Sequence, residues 1–192
     1  MTGRFFITGL PRSRTAWLAV ATTTPTSVCW HEPLCHIQSF TGLREFWAPK
    51  MGVDIGISDS GLATQLGRIL EELKPRTIIV ERPLEDALLS FQKFAAGKLH
   101  VDEKYCRRFA EIALAEIWKY SHHPLVKVVE FAALDDYDTM LDAMNWLLPG
   151  QEFPDLKALM TFNIQAKASE VERTSGLPHT NWHLQDVSRE TL

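Results

Sequence analysis

Residues 5–17 read FFITGLPRSRTAW, an apolar run that ends in Gly9 and is followed by a turn rich in arginine. A short continuous apolar run before a glycine is typical of a strand that is buried on both faces. Residues 15–24, behind the turn, favour a helix. The order strand, polar loop, helix is the unit from which parallel α/β sheets are built, and such sheets bind ligands at the carboxyl ends of their strands.

The same alternation continues along the chain. Further apolar runs predict strands at 27–30, 77–80 and 126–131. Residues 33–56 have no clean period, and we predict an irregular segment with one short helix at 43–47. Apolar stripes with a helical period predict the remaining helices at 62–73, 84–96, 103–120, 136–148 and 154–168.

Strands separated by helices predict a three-layer αβα domain with a parallel sheet of about four to five strands. A chain of 192 residues is long enough for one such domain. We expect the domain to cover residues 1–168 and residues 169–192 to form a polar tail.

The net charge of −4 argues against a general nucleic-acid binder. Residues 1–31 nevertheless contain three arginines and no Asp or Glu, so the predicted loop lies in a locally positive segment that suits an anion. Three cysteines without a C-x-x-C pair indicate neither a disulfide framework nor a zinc site, and no metal is expected. The apolar stretch 16–21 is far shorter than the roughly 20 residues of a membrane span, and no signal peptide precedes it. We therefore expect a cytoplasmic protein that has no membrane partner.

The loop after the first strand carries groups that bind phosphate. Gly9 permits a tight turn, and Ser13 and Thr15 offer hydroxyl groups. Arg12 and Arg14 can neutralise an anion with forked donors. The P-loop pattern Gly-x-x-x-x-Gly-Lys-Ser/Thr does not occur in the chain, which disfavours ATP hydrolysis. The alternative is a structural turn between strand and helix with two surface arginines.

Residues 11–17, PRSRTAW, resemble the nucleotide-binding loop of the sulfotransferase superfamily, a P-loop relative with the pattern Pro-Lys/Arg-Ser-Gly-Thr-Thr/Ser-Trp/Phe. The two departures are Arg14 at the glycine position and Ala16 in place of a hydroxyl. Arg14 either changes the shape of the loop or adds a cation. The resemblance implies a P-loop NTPase-like fold and the donor 3′-phosphoadenosine 5′-phosphosulfate (PAPS). It assigns donor contacts to Arg12, Ser13, Arg14, Thr15, Ala16 and Trp17.

A second motif lies in residues 78–90, which read IIVERPLEDALLS. Arg82 and Ser90 match the family's arginine at a strand end and the serine eight residues later, which together bind the 3′-phosphate of the donor. Seven helical residues span roughly 10 Å, so one phosphate contacts both side chains only if it lies along the flank of the helix. The resemblance covers about residues 4–150.

Sulfuryl transfer needs positive donors at the leaving oxygen and a base for the acceptor hydroxyl. Arg12 is our main candidate for the first role. Glu32, in the sequence Trp30-His31-Glu32-Pro33, resembles the family's Glu-Pro, where the carboxylate accepts that proton. His31 is the competitor because its ordinary pKa suits a base better, and His36 is a third candidate. The structural alternative is that Glu32 pairs with one of the loop arginines.

We therefore expect a sulfotransferase that moves a sulfuryl group from PAPS to the hydroxyl of an unknown acceptor. Trp47 is a candidate to line the acceptor pocket. One alternative is a P-loop nucleotide or small-molecule kinase, which would need ATP, Mg²⁺ and a carboxylate near the loop. The other is a regulatory protein that binds the nucleotide without catalysis.

Overall fold

The computed structural model describes residues 3–33, 37, 39–48, 52–95 and 102–161. Within these ranges five strands form one parallel sheet in the order β2-β3-β1-β4-β5. The strands are β1 (Arg4–Gly9), β2 (Ser27–His31), β3 (Asp54–Ser58), β4 (Arg76–Glu81) and β5 (Val126–Glu130).

Helices lie on both sides of this sheet. Two of the connections are 3-10 helices, Gly61–Gln65 after β3 and Phe131–Asp135 after β5. The α-helices are α1 (Thr15–Ala21), α2 (Phe40–Phe46), α3 (Leu66–Glu72), α4 (Leu84–Ala95), α5 (Glu103–Tyr120), α6 (Tyr137–Leu147) and α7 (Leu156–Leu159).

The central strand β1 is buried on both faces. Phe5 and Ile7 belong to a core that β1 shares with α1, α6 and α7, whereas Phe6 belongs to a core shared with α2, α3, α4 and α5. Side chains alternate across a strand, so one apolar run supplies both cores. The expected three-layer αβα arrangement with a parallel sheet is confirmed.

Several predicted boundaries also agree with the structure. Helix α5 begins after Asp102, whose carboxylate accepts a hydrogen bond from the Lys104 backbone N–H. Of the helix predicted at 154–168, the structure has only the short α7, which ends at Leu159, and residues 162–168 lie outside the described part of the chain. The tail 169–192 also lies outside the described residues, so the domain boundary stays a prediction. None of the described helices combines the length and apolar character that crossing a bilayer requires.

Helix α1 ends at Ala21, three residues earlier than predicted. The hydroxyls of Thr22 and Thr23 donate to the carbonyls of Leu18 and Ala19 at 2.7 and 2.9 Å. Threonine side chains that bond the preceding turn compete with the helix, and two of them, Thr22 and Thr23, directly follow its last residue.

The prediction of an irregular segment through residue 56 is wrong at its end, because β3 occupies Asp54–Ser58. Gly56, within this strand, is a position at which another side chain packs against the backbone. A Cβ atom at Gly56 would lie 2.0 Å from the ring of Phe5. Glycine inside a strand often marks such a close approach, and here the absent side chain makes room for the ring.

The assignment of Trp47 to an acceptor pocket is also wrong. Its side chain is fully buried. Its ring packs edge-on against the ring of Phe6, with 5.8 Å between the ring centroids. The indole N–H donates to the backbone carbonyl of Ile55 at 2.7 Å. Trp47 therefore anchors the end of α2 to β3 and has no surface to offer a ligand.

Replacing Gly56 with alanine will destabilise the protein by about 1–3 kcal/mol, because the added methyl group overlaps the Phe5 ring. Chemical denaturation followed by circular dichroism measures the change. Gly3→Ala is the matched control, since its Cβ atom meets only a carboxylate oxygen of Asp54 at an ordinary 3.5 Å. Equal stability of the two variants would contradict this packing role.

Candidate functional site

The loop Leu10–Arg14 lies at the carboxyl end of β1, in the middle of the sheet. The chain leaves β1 toward the face covered by α1, and it leaves the neighbouring strands β3 and β4 toward the opposite face. Adjacent connections that diverge in this way open a crevice at the carboxyl edge, which is where ligands bind in open α/β sheets.

The backbone of the loop has positive φ at two residues that are not glycine. These are Arg12 and Arg14, with φ of 69° and 58°, whereas Ser13 between them does not have a positive φ. Turns with left-handed residues are among the backbone arrangements whose successive N–H groups form anion-binding concavities. Gly9 lets the loop turn close to β4, since a Cβ atom there would lie 2.6 Å from the carbonyl oxygen of Val80.

Backbone strain concentrates at this edge of the sheet. Among the described residues, four that are not glycine have positive φ, and they include Arg12, Arg14 and also Glu32 with φ of 47°. The fourth, Lys74, lies outside the site, after α3. Left-handed residues other than glycine cost free energy and persist where the surroundings hold them, often at ligand sites.

The side chain of Ser13 is fully buried in the loop. Its Oγ atom has no hydrogen-bond partner within the described structure. A buried hydroxyl without a partner costs about 1–3 kcal/mol, so an acceptor atom placed in the loop would recover that free energy.

Arg82 follows β4 and reaches the loop. Its guanidinium donates a hydrogen bond to the backbone carbonyl of Arg12 and lies 4.2 Å from the centroid of the Phe131 ring. The buried Nε atom of Arg82 has no hydrogen-bond partner in the described structure. Ser90 lies on α4 and is half-buried, and no hydrogen bond recorded between described residues joins it to the loop.

Arg14 turns toward the connection that follows β5. Its guanidinium makes an ion pair with Asp135 at 2.5 Å and lies 5.3 Å from the Phe131 ring centroid. The 3-10 helix Phe131–Asp135 therefore contacts two arginines of the site, one from the loop and one from the end of β4.

The arginines of the site repel one another. Burial lowers the pKa of Arg12 below its ordinary value, and the charge of Arg82 lowers it further. Burial likewise lowers the pKa of Arg82, with a contribution from Arg14 that Asp86 opposes. The lowered pKa values of Arg12 and Arg82 mean that an anion placed beside these two guanidiniums would be stabilised.

His31 and Glu32 lie beside the loop at the end of β2. The Nε2 atom of buried His31 lies 3.3 Å from the Thr15 hydroxyl and 3.7 Å from a carboxylate oxygen of Glu32. Both contacts use the same ring nitrogen, so His31 does not relay a proton between these two groups. Its side chain is directed at the loop and has little exposed surface.

Glu32 is the more accessible of the two candidate bases, with 48% of its side chain exposed. The surrounding protein atoms still remove part of the solvent from its carboxylate, and this desolvation raises the pKa of Glu32. The positive charge of Arg12 works in the opposite direction. Glu32 thus interacts with Arg12, and a raised pKa makes it a better proton acceptor.

The remaining predicted residues lie where the loop enters α1. The carbonyl of Thr15 accepts a hydrogen bond from Ser58 at 2.7 Å. Ala16 and Trp17 have buried side chains in the core, and the indole of Trp17 donates to the carbonyl of Leu159 at 3.0 Å. Only their backbone N–H groups could contact a ligand. His36 lies outside the described residues.

Phe131 and Asp135 lie near the site and carried no role in the sequence interpretation. Both contact Arg14, and Phe131 also contacts Arg82, across a long stretch of chain, and no local spacing signals such contacts. Asp59 follows β3, the strand next to β1, and is buried. Its carboxylate accepts hydrogen bonds from the N–H groups of Gly61 and Leu62 at 2.7 and 3.3 Å and so stabilises the start of the 3-10 helix.

No group of three or more His, Cys, Asp or Glu side chains is arranged to hold a metal ion in the described part of the chain. No protein-family model matches the chain, and a comparison with curated proteins gives no match. The sulfotransferase assignment therefore depends on the two motifs and on the geometry around them.

Glycine at a left-handed position relieves strain. Lys74→Gly will stabilise the protein by about 1 kcal/mol, because Lys74 is exposed and lies just after α3. Arg14→Gly will stabilise it by less than about 0.5 kcal/mol, because the same relief is offset by loss of the contacts with Asp135 and Phe131. Chemical denaturation compares the two, and an equal gain would mean that the Arg14 side chain contributes nothing to stability.

Proposed function

We propose that this chain binds PAPS at the loop Leu10–Arg14 and transfers its sulfuryl group to a hydroxyl of an acceptor. The observation that supports the proposal is a contact between one residue of each motif. Arg82, which follows β4, donates to the carbonyl of Arg12 in the loop after β1. Two residues that are distant in sequence, and that the resemblance assigns to the donor's phosphates, thus lie together at one sheet edge.

The charges and unpaired donors at this edge suit a bisphosphate. Arg12, Arg14 and Arg82 concentrate positive charge, and burial of two of them strengthens their attraction for an anion. The buried Ser13 hydroxyl and the Nε atom of Arg82 are donors that lack partners in the described structure. A nucleotide with phosphates at both the 5′ and the 3′ positions would engage both elements.

In the proposed transfer step Arg12, Glu32 and His31 have different roles. The acceptor oxygen forms a bond to sulfur while the bond from sulfur to the bridging phosphate oxygen breaks, which releases 3′,5′-diphosphoadenosine. Arg12 stabilises the negative charge that develops on the leaving phosphate. Glu32 accepts the acceptor's proton, because its carboxylate is exposed, has a raised pKa and lies close to Arg12. His31 positions the loop through the Thr15 hydroxyl.

A kinase is the second candidate, and Asp59 is the observation that favours it. A buried carboxylate at the end of β3, next to β1, is the group that a magnesium ion would need. One of its oxygens already accepts two backbone N–H bonds, which leaves the carboxylate less available as a ligand. Tighter binding of ATP with Mg²⁺ than of 3′,5′-diphosphoadenosine would favour the kinase.

Titration calorimetry with 3′,5′-diphosphoadenosine tests the binding proposal. Arg82→Ala will weaken binding about 10- to 100-fold, because charge-assisted hydrogen bonds contribute roughly 1.5–3 kcal/mol each. Arg76→Ala is the matched control. Arg76 lies at the other end of the same strand, where it donates to the carbonyl of Trp146, and its removal will leave the affinity within about twofold. Absence of binding by the wild-type protein at millimolar nucleotide would refute the proposal.

Glu32→Gln will abolish transfer and leave binding of 3′,5′-diphosphoadenosine intact. In the wild-type protein the rate will fall as the pH falls through the raised pKa of Glu32, since the base must be ionised. The folded protein holds this proton more tightly than the unfolded chain, so ionisation of Glu32 lowers stability as the pH rises through that pKa. The amide variant will therefore be no less stable at neutral pH.

Release of 3′,5′-diphosphoadenosine from PAPS, measured with a panel of phenol, sugar and alcohol acceptors, follows the reaction. An active Glu32→Gln variant would exclude this residue as the base. Tight donor binding by the wild-type protein without turnover on any acceptor would favour the non-catalytic alternative.

A further inference from the structure

We propose that Asp135 competes with the anionic ligand for the guanidinium of Arg14, so that this carboxylate lowers the affinity of the site. The inference rests on the proposed function of the loop and adds a residue that controls it. Its basis is the ion pair between the two side chains, whose Arg14 Nη1 and Asp135 Oδ1 atoms are 2.5 Å apart.

Arg14 belongs to the anion-binding loop by its backbone. It is the second of the two left-handed residues and the last residue before α1. Its side chain extends from the loop to Asp135. Its charge also acts on Arg82, and the guanidiniums of both arginines contact the Phe131 ring.

The ion pair is of a kind that exchanges readily. The Arg14 side chain is 34% exposed and the Asp135 side chain is 68% exposed, so water competes for both. Exposed pairs of this kind contribute little to stability. A phosphate group carries more charge than a carboxylate and offers more acceptor oxygens, so it would displace Asp135 as the partner of Arg14.

Among the described residues, the only hydrogen bond of the Asp135 carboxylate is the one from Arg14. The next residue, Asp136, caps α6 by accepting hydrogen bonds from the backbone N–H and the hydroxyl of Thr139 at 2.8 and 2.6 Å. The fold therefore uses the second of two adjacent carboxylates as the cap. The first, Asp135, pairs with Arg14 of the loop, where it adds a negative charge beside the proposed phosphate site.

Within the described residues a carboxylate acts on each arginine of the site. Glu32 acts on Arg12, and Asp86 acts on Arg82, while Asp135 makes a direct ion pair with Arg14. These three carboxylates balance the three cations. Neutralising Asp135 would shift this balance toward positive charge, both by removing a repulsive neighbour and by releasing Arg14 for the ligand.

The test is titration calorimetry at low salt with two probes, 3′,5′-diphosphoadenosine and inorganic pyrophosphate. Asp135→Asn will tighten binding of both about three- to tenfold, the size expected for one exposed charge beside an anion. The gain will shrink as salt is added, because the interaction is screened. Asp135→Glu keeps the charge and will bind like the wild-type protein.

Two further variants separate this role from a general charge effect. Asp142→Asn removes a matched exposed carboxylate on α6, which pairs with Lys127 of β5, and will leave both affinities unchanged. In an Arg14→Gly background Asp135→Asn will give less than about twofold tighter binding, because the contested guanidinium is absent.

The outcomes distinguish the two proposals. If the wild-type protein binds neither probe, the loop is no anion site and both proposals fall. If it binds but Asp135→Asn leaves the affinity unchanged or weakens it, the competition is refuted while the proposed function stands. An equal gain with and without Arg14 would also refute it, since Asp135 would then act on the ligand by repulsion alone.

Discussion

The hydrogen bond from Arg82 to the carbonyl of Arg12 is the interaction on which the rest of the site depends. It joins the end of β4 to a loop whose backbone is left-handed at two arginines. Left-handed residues with large side chains persist only where their surroundings fix them. Here Gly9 lets the loop turn close against Val80, and the Phe131 ring packs against the guanidinium of Arg82. The curved loop is thus a consequence of packing between three neighbouring elements.

The same edge of the sheet accumulates features that reduce stability. It has strained backbone, guanidiniums that repel one another, a buried hydroxyl without a partner and a carboxylate with a raised pKa. The opposite pattern holds in the two cores, where apolar side chains from β1 fill both faces of the sheet. Stability contributed by the cores permits such a costly arrangement, and a ligand that satisfies the donors would recover part of the cost.

Local sequence patterns predicted the layers of the fold because β1, β4 and β5 are apolar runs between helices with clear stripes. They did not predict β3, because a glycine is needed at position 56 to make room for the ring of Phe5, which is distant in sequence. The prediction for Trp47 failed for the same reason, because its partners Ile55 and Phe6 lie on the strands β3 and β1. In the site, the loop and Arg82 could be predicted from motifs at fixed spacing. Asp135 and Phe131 could not, since only the folded chain brings them to the arginines.

A crystal structure with 3′,5′-diphosphoadenosine tests the central claim most directly. The account predicts one phosphate in the loop, within hydrogen-bond distance of the backbone N–H groups of residues 12–15 and of the Ser13 hydroxyl, and the second phosphate beside Arg82. Electron density for the nucleotide at any other surface, or a loop without a phosphate at millimolar nucleotide, would contradict it.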